Sequence, residues 1–189
     1  MSNNLKLTQR DIEIINFVKE YKAVDINTIA RLYFPSLATA EKRLRKLVEA
    51  RKLNRSRANI LEPYVYYLKS KPTNLKHSLA LSQVYSLLQS NYEVVKCRRE
   101  WQCKYYSKTL QPDLMLVIRR YGKLYSLFIE VDLSKKYNEK YTSYIKSGYY
   151  KMIFPTPPII IVISNRTPSS NIDIVWVKLN EIDNIKNLL

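Results

Sequence analysis

The chain has 189 residues, and its 32 basic and 16 acidic side chains leave a formal net charge of +16. A chain of this length with an ordinary apolar fraction can bury a core in one or two domains, which excludes a disordered protein. A basic surplus of this size indicates that the partner is a polyanion.

The sequence favours nucleic acid over a membrane surface as that polyanion. Apolar runs such as Ile159–Ile163 are much shorter than the ~18 residues that a membrane-spanning helix needs, and we identify no N-terminal secretion signal. The only cysteines and histidine, Cys97, Cys103 and His77, are too few for a disulfide framework or a zinc site. We therefore expect a protein of the reducing cytoplasm with no membrane partner.

Two capped helices open the chain. Thr8 is placed to cap a helix that runs to about Tyr21, with Asp11 at the reciprocal position of a capping box. Asp25 is placed to cap a shorter helix, which Pro35 ends. Two such helices with a short connection, followed by a third helix that is basic on its outer side, match the order of a helix-turn-helix.

The third helix is predicted over Ser36 to Arg51. Its packing side is formed by Leu37, Ala40, Leu44, Leu47, Val48 and Arg51, whereas its other side carries Thr39, Lys42, Arg43 and Lys46. A solvated charged face is the alternative to a DNA-binding face. Cations at spacings of three and four repel by ~0.2–0.5 kcal/mol per pair, and a phosphate backbone would remove that repulsion. We therefore predict that this helix reads DNA.

Two short strands are predicted after this helix, over Leu53 to Arg57 and Tyr64 to Leu68, with residues 58–63 as the loop between them. Leu53 is expected to pack inward, while Arg55 and Arg57 point outward and reach phosphates or a minor groove. Residues 1–70 are thus predicted to form a winged helix-turn-helix domain. Its predicted DNA contacts are Ser36, Thr39, Lys42, Arg43, Arg45, Lys46, Arg55 and Arg57.

A polar segment, residues 70–74, is the predicted boundary to a second domain over residues 77–189. Its predicted helices cover residues 77–90 and 134–152, with a short terminal helix from about residue 180. Its predicted strands cover residues 92–98, 114–119, 124–131, 159–164 and 173–179. The predicted class is therefore α+β, and the second domain has the order α-β-β-β-α-β.

An acidic cluster is predicted at the end of a hairpin in this second domain. If Tyr121 and Gly122 form the turn, Asp113 lies opposite Glu130 at roughly 5 Å. Asp132 then shares one face with Glu130. Carboxylates this close raise one another's pKa unless a cation joins them. Mg²⁺ would allow phosphodiester hydrolysis, whereas a lysine would make the cluster a buried ion network, and both alternatives stay open.

The element order and the PD…ExD pattern resemble the PD-(D/E)xK nuclease-like fold. The resemblance implies that Asp113 and Glu130 are metal ligands and that a lysine assists the attacking water. Asp132 stands where that family has its lysine, so Lys135 or Lys136 would have to replace it. The implied catalytic set is Asp113, Glu130, Asp132 and Lys135, with Mg²⁺ as cofactor of an endonuclease and no cofactor for a DNA-binding protein.

Over most of its length the chain also resembles the replication-relaxation family of plasmids and other mobile elements. The segments that carry this resemblance are LTQRDIEIINFV, INTIARLYFPS, AEKRLRKLVEARKL, YVYYL, His77 before a helix, Pro112-Asp113 and FIEVD. The resemblance implies a DNA-binding protein that acts in replication, relaxation or transfer.

Sequence-specific binding of double-stranded DNA is therefore the leading hypothesis. A metal-dependent nuclease or nickase that uses Asp113 and Glu130 is the first alternative, and a transcriptional repressor of mobile-element genes is the second. The second domain is expected either to add basic contacts or to form a homodimer, since residues 77–189 hold 16 basic and 9 acidic groups.

Overall fold

The computed structural model describes residues 5–133, 140–166 and 174–187. The chain divides into two compact units, Met1–Ser86 and Leu87–Leu189. Both units combine helices with β-sheet, so the predicted α+β class is confirmed. Within the described ranges, no helix is long and apolar enough to cross a membrane.

The first unit contains helices and short strands in the order α1 (Gln9–Tyr21), β1 (Ala23–Asp25), α2 (Ile26–Tyr33), α3 (Leu37–Glu49), β2 (Asn54–Ser56), β3 (Val65–Tyr67) and the first part of α4 (Leu75–Asn91). The division between the units falls inside α4, later than the polar segment 70–74. Tyr85 of α4 explains this, because its ring lies 5.7 Å from Phe17 and 5.5 Å from Tyr21 of α1.

Side-chain caps set the starts of α1 and α2, as the sequence predicts. The Asp11 N–H donates to the Thr8 hydroxyl at 3.3 Å, and the Thr8 N–H donates to the Asp11 carboxylate at 2.7 Å. At α2, the Thr28 N–H donates to the Asp25 carboxylate at 2.8 Å. These bonds satisfy amide groups that the first turn of a helix leaves without partners.

A three-stranded antiparallel sheet in the order β1-β3-β2 completes this unit. The strand β1 was not predicted, because three residues between two helices are too short to show alternation. It pairs Val24 with Tyr66, and both side chains are buried. The helices and sheet enclose a core that includes Ile14, Val18, Tyr21, Ile29, Leu44, Leu47 and Leu53.

The second unit is built on a five-stranded sheet. Its elements after α4 are β4 (Glu93–Arg99), β5 (Cys103–Tyr105), β6 (Lys108–Leu110), β7 (Leu114–Arg120), β8 (Lys123–Val131), α5 (Lys140–Ser147), a 3-10 helix (Tyr149–Met152), β9 (Ile159–Ile163), β10 (Ile174–Val177) and a second 3-10 helix (Leu179–Asn187). The strand order is β10-β9-β8-β7-β4. The pairs β8–β9 and β9–β10 are parallel, and the other two pairs are antiparallel.

Three features of this unit differ from the sequence prediction. The hairpin β5–β6 was not predicted, since each strand has only three residues. The predicted helix over residues 134–152 begins in residues outside the described ranges, and its described part ends at Ser147. Gly148 then adopts a φ of 72°, a left-handed conformation that stops an α-helix, and a 3-10 turn follows. The terminal helix is of the 3-10 type.

Candidate nucleic-acid interface and acidic cluster

The exposed face of α3 starts at its capped N-terminus. The Thr39 N–H donates to the Ser36 hydroxyl oxygen at 3.3 Å, and the two hydroxyl groups share a hydrogen bond of 2.9 Å. Both side chains are exposed. Ser36 and Thr39 therefore lie together at the end of the helix that carries the partial positive charge of the helix dipole.

Three cations continue this face along α3. Lys42, Arg45 and Lys46 are exposed, whereas Leu44 and Leu47 on the other side are fully buried. None of the three forms an ion pair with any residue that the structure describes. Their spacing of three and four residues places them on one side of the helix. The structure thus brings together five of the predicted contacts on one surface, which we call the α3 face: Ser36, Thr39, Lys42, Arg45 and Lys46.

Arg43 has a different position from the one that the helical wheel predicts. Its Nε donates to Asp11 Oδ1 at 2.8 Å, a terminal guanidinium nitrogen donates to Asp11 Oδ2, and that nitrogen also donates to the Lys6 carbonyl at 3.3 Å. Asp11 is fully buried. Arg43 therefore ties α3 to the start of α1, and this internal role is the one that the geometry supports.

The Asp11 carboxylate is held in its charged form by these contacts. Burial acts to raise its pKa, but hydrogen bonds from the Arg43 guanidinium and from Thr8 outweigh burial and lower the pKa to about 2. A buried carboxylate needs such partners to remain ionised. The Asp11–Arg43 pair is thus part of the framework that orients α3.

Two members of the predicted packing side are exposed instead. Leu37, in the first turn of α3, is 44% exposed. Arg51 lies beyond the helix, which ends at Glu49, and its φ of 57° turns the chain away. The Lys52 N–H then donates to the Leu47 carbonyl at 2.8 Å, a bond that closes the end of the helix.

The β2–β3 hairpin holds two more of the predicted DNA contacts. The guanidinium carbons of Arg55 and Arg57 lie 4.3 Å and 4.8 Å from the centre of the Tyr64 ring. Such cation–π contacts orient an arginine while they leave its charge in place. The sequence analysis did not identify Tyr64 as a functional residue. The sequence does contain a signal for this role. Tyr64 opens one predicted strand, and Arg55 and Arg57 alternate along the strand that is predicted to pair with it.

The predicted register of the acidic hairpin is confirmed. Leu114 pairs with Ile129, and the pairing continues to Arg120 and Lys123, so Asp113 is the residue opposite Glu130. Tyr121 and Gly122 form the turn, with φ values of 49° and 74°. Two successive residues with positive φ are typical of the tight turn that joins twisted antiparallel strands.

The carboxylates of this cluster are held by donors from the chain. Lys140 Nζ donates to Glu130 Oε1 at 2.7 Å, and the Tyr141 hydroxyl donates to Glu130 Oε2 at 2.6 Å. The Val131 N–H donates to Asp113 Oδ2 at 2.8 Å. Burial and the nearby charge of Asp113 raise the pKa of Glu130, and these outweigh the opposite effects of Lys140 and Tyr141.

The contacts of this cluster are those of an ion pair within the chain. Both oxygens of Glu130 already accept hydrogen bonds from side chains, and one oxygen of Asp113 accepts a backbone N–H. No three acidic, histidine or cysteine side chains of the described residues, Asp132 included, are grouped as metal ligands. Lys140 supplies the neutralising cation instead, so the ion-network alternative is the one that the geometry favours.

The predicted catalytic lysine cannot be placed, since Lys135 and Lys136 lie outside the described residues. Among the described residues, Lys140, which the sequence analysis did not select, donates to Glu130. The hint in the sequence was chemical, because clustered carboxylates require a cation. The chain offers several lysines after the strand, and it is the fold that brings Lys140 to Glu130.

A basic cleft of about 610 Å³ lies at the other end of β7. Its lining includes Arg119, Arg120 and Lys186 together with Tyr92 and Tyr121. Arg120 lies over the rings of Tyr92 and Tyr121, at 5.7 Å and 4.9 Å from their centres. Arg119 pairs with Glu93 at 3.2 Å, so part of the positive charge is neutralised within the cleft.

No protein-family model and no curated protein sequence matches this chain. A comparison with solved structures finds the crystal structure of protein VC1899 from Vibrio cholerae, at 14% sequence identity and a TM-score of 0.41. The match covers 93% of this chain and 49% of that protein, so the chain spans about half the length of VC1899.

Proposed function

We propose that this chain is a sequence-specific double-stranded DNA-binding protein in which α3 enters the major groove. The observation that carries the proposal is the α3 face, with Lys42, Arg45 and Lys46 exposed on one side of the helix. Glu41 and Glu49 lie on the same helix, yet neither forms an ion pair with these cations. Positive charge without internal partners is available to phosphates and base edges.

The architecture of the first unit supports this proposal. Its order of helices and strands, with a hairpin directly after α3, supports the proposal of a winged helix-turn-helix, a class whose recognition helix lies in the major groove. Arg55 and Arg57 on the hairpin then contact the flanking backbone or the minor groove.

Three residues of the α3 face, Ser36, Lys42 and Arg45, and the neighbouring Arg43 have distinct proposed roles. Arg45 and Lys42 are long enough to reach the O6 and N7 acceptors of guanine, which is the commonest specific contact of such side chains. Ser36 caps α3, and the N-terminus of this helix is suited to bind a phosphate group. Arg43 acts as a positioning residue, because its guanidinium is held by Asp11.

The test is the combined substitution Lys42→Ala, Arg45→Ala and Lys46→Ala, measured by fluorescence anisotropy on a duplex that the unaltered protein selects from a random pool. We expect affinity to fall by at least about 100-fold, because one base-reading arginine alone contributes about 1–3 kcal/mol. We also expect a lower salt dependence. Lys19→Ala, an exposed lysine on α1, is the matched control and leaves affinity unchanged. Equal affinities of triple variant and parent would disprove the assignment of α3.

The biological setting is a separate part of the proposal. The resemblance to replication-relaxation proteins favours a role in plasmid replication, relaxation or transfer. A transcriptional repressor would use the same DNA chemistry at a different place. Genome-wide footprinting separates the two roles, since sites in a replication or transfer origin support the first and sites confined to promoters support the second.

A metal-dependent nuclease is the rival from another class, and Asp113 opposite Glu130 is the observation that favours it. Because Lys140 and Tyr141 occupy the Glu130 oxygens, we expect no cleavage or relaxation of supercoiled plasmid with Mg²⁺ or Mn²⁺. Agarose gel electrophoresis of the plasmid is the readout. Cleavage by the parent protein that Glu130→Gln abolishes would establish the nuclease instead.

A further inference from the structure

We propose that the loop of the β2–β3 hairpin (residues 58–63) carries an apolar wedge, made of Ile60 and Leu61, that inserts between base pairs from the minor groove and kinks the DNA. The inference rests on the proposed DNA-binding function and adds a deformation of the DNA to it. The proposed ligand is double-stranded DNA that has a flexible base step next to the base pairs contacted by α3.

The wedge is defined by two adjacent aliphatic side chains at the end of the hairpin. Ile60 is 77% exposed and Leu61 is 93% exposed, so most of the surface of each residue is in contact with water. Single exposed apolar residues are common on protein surfaces. Two neighbouring branched side chains at the tip of a projecting hairpin form an apolar point that a partner can cover.

The backbone of the loop is already folded in the shape that presents this point. Asn59 Oδ1 accepts the N–H of Leu61 at 2.9 Å and that of Glu62 at 3.1 Å. The Glu62 N–H also approaches the Asn59 carbonyl at 3.3 Å. Insertion of a loop that is already ordered loses less conformational entropy than insertion of a flexible one.

The balance of charge near the wedge favours DNA as its partner, because Arg55 and Arg57 of the hairpin outweigh the single neighbouring carboxylate, Glu62. Arg57 donates to the Ile60 carbonyl at 3.3 Å, and both Arg55 and Arg57 lie against Tyr64. Arg57 therefore lies beside the apolar point, and Arg55 lies against the same Tyr64 ring as Arg57. A narrow minor groove has an enhanced negative potential that attracts arginine. A second copy of this chain would bring its own arginines against these two, and like charges would oppose that contact.

An apolar side chain that enters a base step has known consequences for DNA. Leucine and isoleucine wedges unstack the step and kink the duplex by roughly 20–90° toward the major groove. Pyrimidine–purine steps such as TA and CA are the easiest to open. The inference therefore predicts a preference for such a step at a position that α3 does not contact.

The experiment uses the full chain and the duplex that it selects. The bend angle is measured by energy transfer between dyes at the two duplex ends, and unstacking is measured by the fluorescence of 2-aminopurine placed in the candidate step. We expect the double variant Ile60→Ala with Leu61→Ala to abolish the bend and the increase in 2-aminopurine fluorescence. Its affinity should fall about tenfold, while the base pairs that α3 protects in a footprint stay the same. Ile60→Leu with Leu61→Met keeps an apolar point and is expected to retain the bend.

The outcomes separate the wedge from the proposed function. A duplex that stays straight on binding, or an alanine variant that bends it as the parent does, overturns the wedge and leaves DNA binding by α3 in place. Absence of any DNA binding by the parent overturns both. A parent dimer that becomes a monomer in the alanine variant, with the bend unaltered, shows that the two residues form a contact between copies and overturns the wedge.

Discussion

Asp11 combines two tasks in one buried carboxylate. It completes the capping box of α1 through Thr8, and it accepts two hydrogen bonds from Arg43 of α3. Removal of one partner from a buried ion pair is costly, because the remaining charge stays without compensation. The orientation of the α3 face therefore depends on a residue that lies outside that face.

The stability of the protein should depend on pH through Asp11. Its pKa is lowered from 3.8 to about 2, so it contributes stability that is present above pH 4 and is lost as the pH falls through 2. A shift of this size corresponds to about 2 kcal/mol. We expect Asp11→Asn to be less stable than the parent by roughly this amount at pH 6, and the difference to shrink toward pH 2. Urea unfolding between pH 2 and pH 6 measures it, and a difference that is independent of pH would contradict the mechanism.

At the scale of the element, the β7–β8 turn sets the register of the acidic cluster. Tyr121 and Gly122 both have positive φ, a conformation that glycine and asparagine adopt more easily than tyrosine does. The Tyr121 side chain is 85% exposed, so its packing contributes little to offset that cost. The turn thus keeps Asp113 opposite Glu130 at some cost in conformational energy.

Opposite effects are expected from two substitutions in this turn. Tyr121→Asn supplies the residue preferred at this position and should stabilise the protein by up to about 1 kcal/mol. Gly122→Ala should destabilise it by about 1 kcal/mol, because the backbone at φ 74° disfavours a side chain. A Cβ at Gly122 would meet no other atom within 4 Å, so the loss reports conformation alone. Thermal unfolding midpoints measure both changes, and a fall in the midpoint of Tyr121→Asn would refute this view of the turn.

At the scale of the whole molecule, the charge of +16 is distributed over both compact units. The first unit presents the α3 face and the hairpin arginines. The second unit presents the cleft that Arg120 and Lys186 line, with Tyr121 exposed at its side. A basic cleft with aromatic rings is suited to a nucleic-acid backbone and its bases, and we propose that the second unit adds to the proposed DNA binding through it.

The salt dependence of DNA binding tests this contribution. We expect Arg120→Ala with Lys186→Ala to reduce the slope of log affinity against log salt by about one for each lost phosphate contact, with the preferred base sequence unchanged. Lys151→Ala is a matched control, because Lys151 is exposed on the 3-10 helix away from the cleft lining. An unchanged slope in the double variant would assign DNA binding to the first unit alone.

The sequence by itself determined the elements whose signals are local. Thr8 and Asp25 mark helix starts because a cap bonds to an amide three residues away. The Tyr121-Gly122 turn determined that Asp113 lies opposite Glu130, since a two-residue turn leaves one register for the strands that it joins. The basic side of α3 was likewise visible from periodicity.

Only the tertiary structure decided which charged groups meet. Arg43 donates to Asp11, which is 32 positions away in the chain, and Lys140 donates to Glu130. The neighbouring cations in the sequence have similar flanking residues, so the sequence near each cation does not show which one forms the contact. The strand β1 exists because β3 pairs with it, and no pattern within three residues could show that. Contacts between distant segments depend on how helices and strands pack, whereas periodicity and capping report only neighbours along the chain.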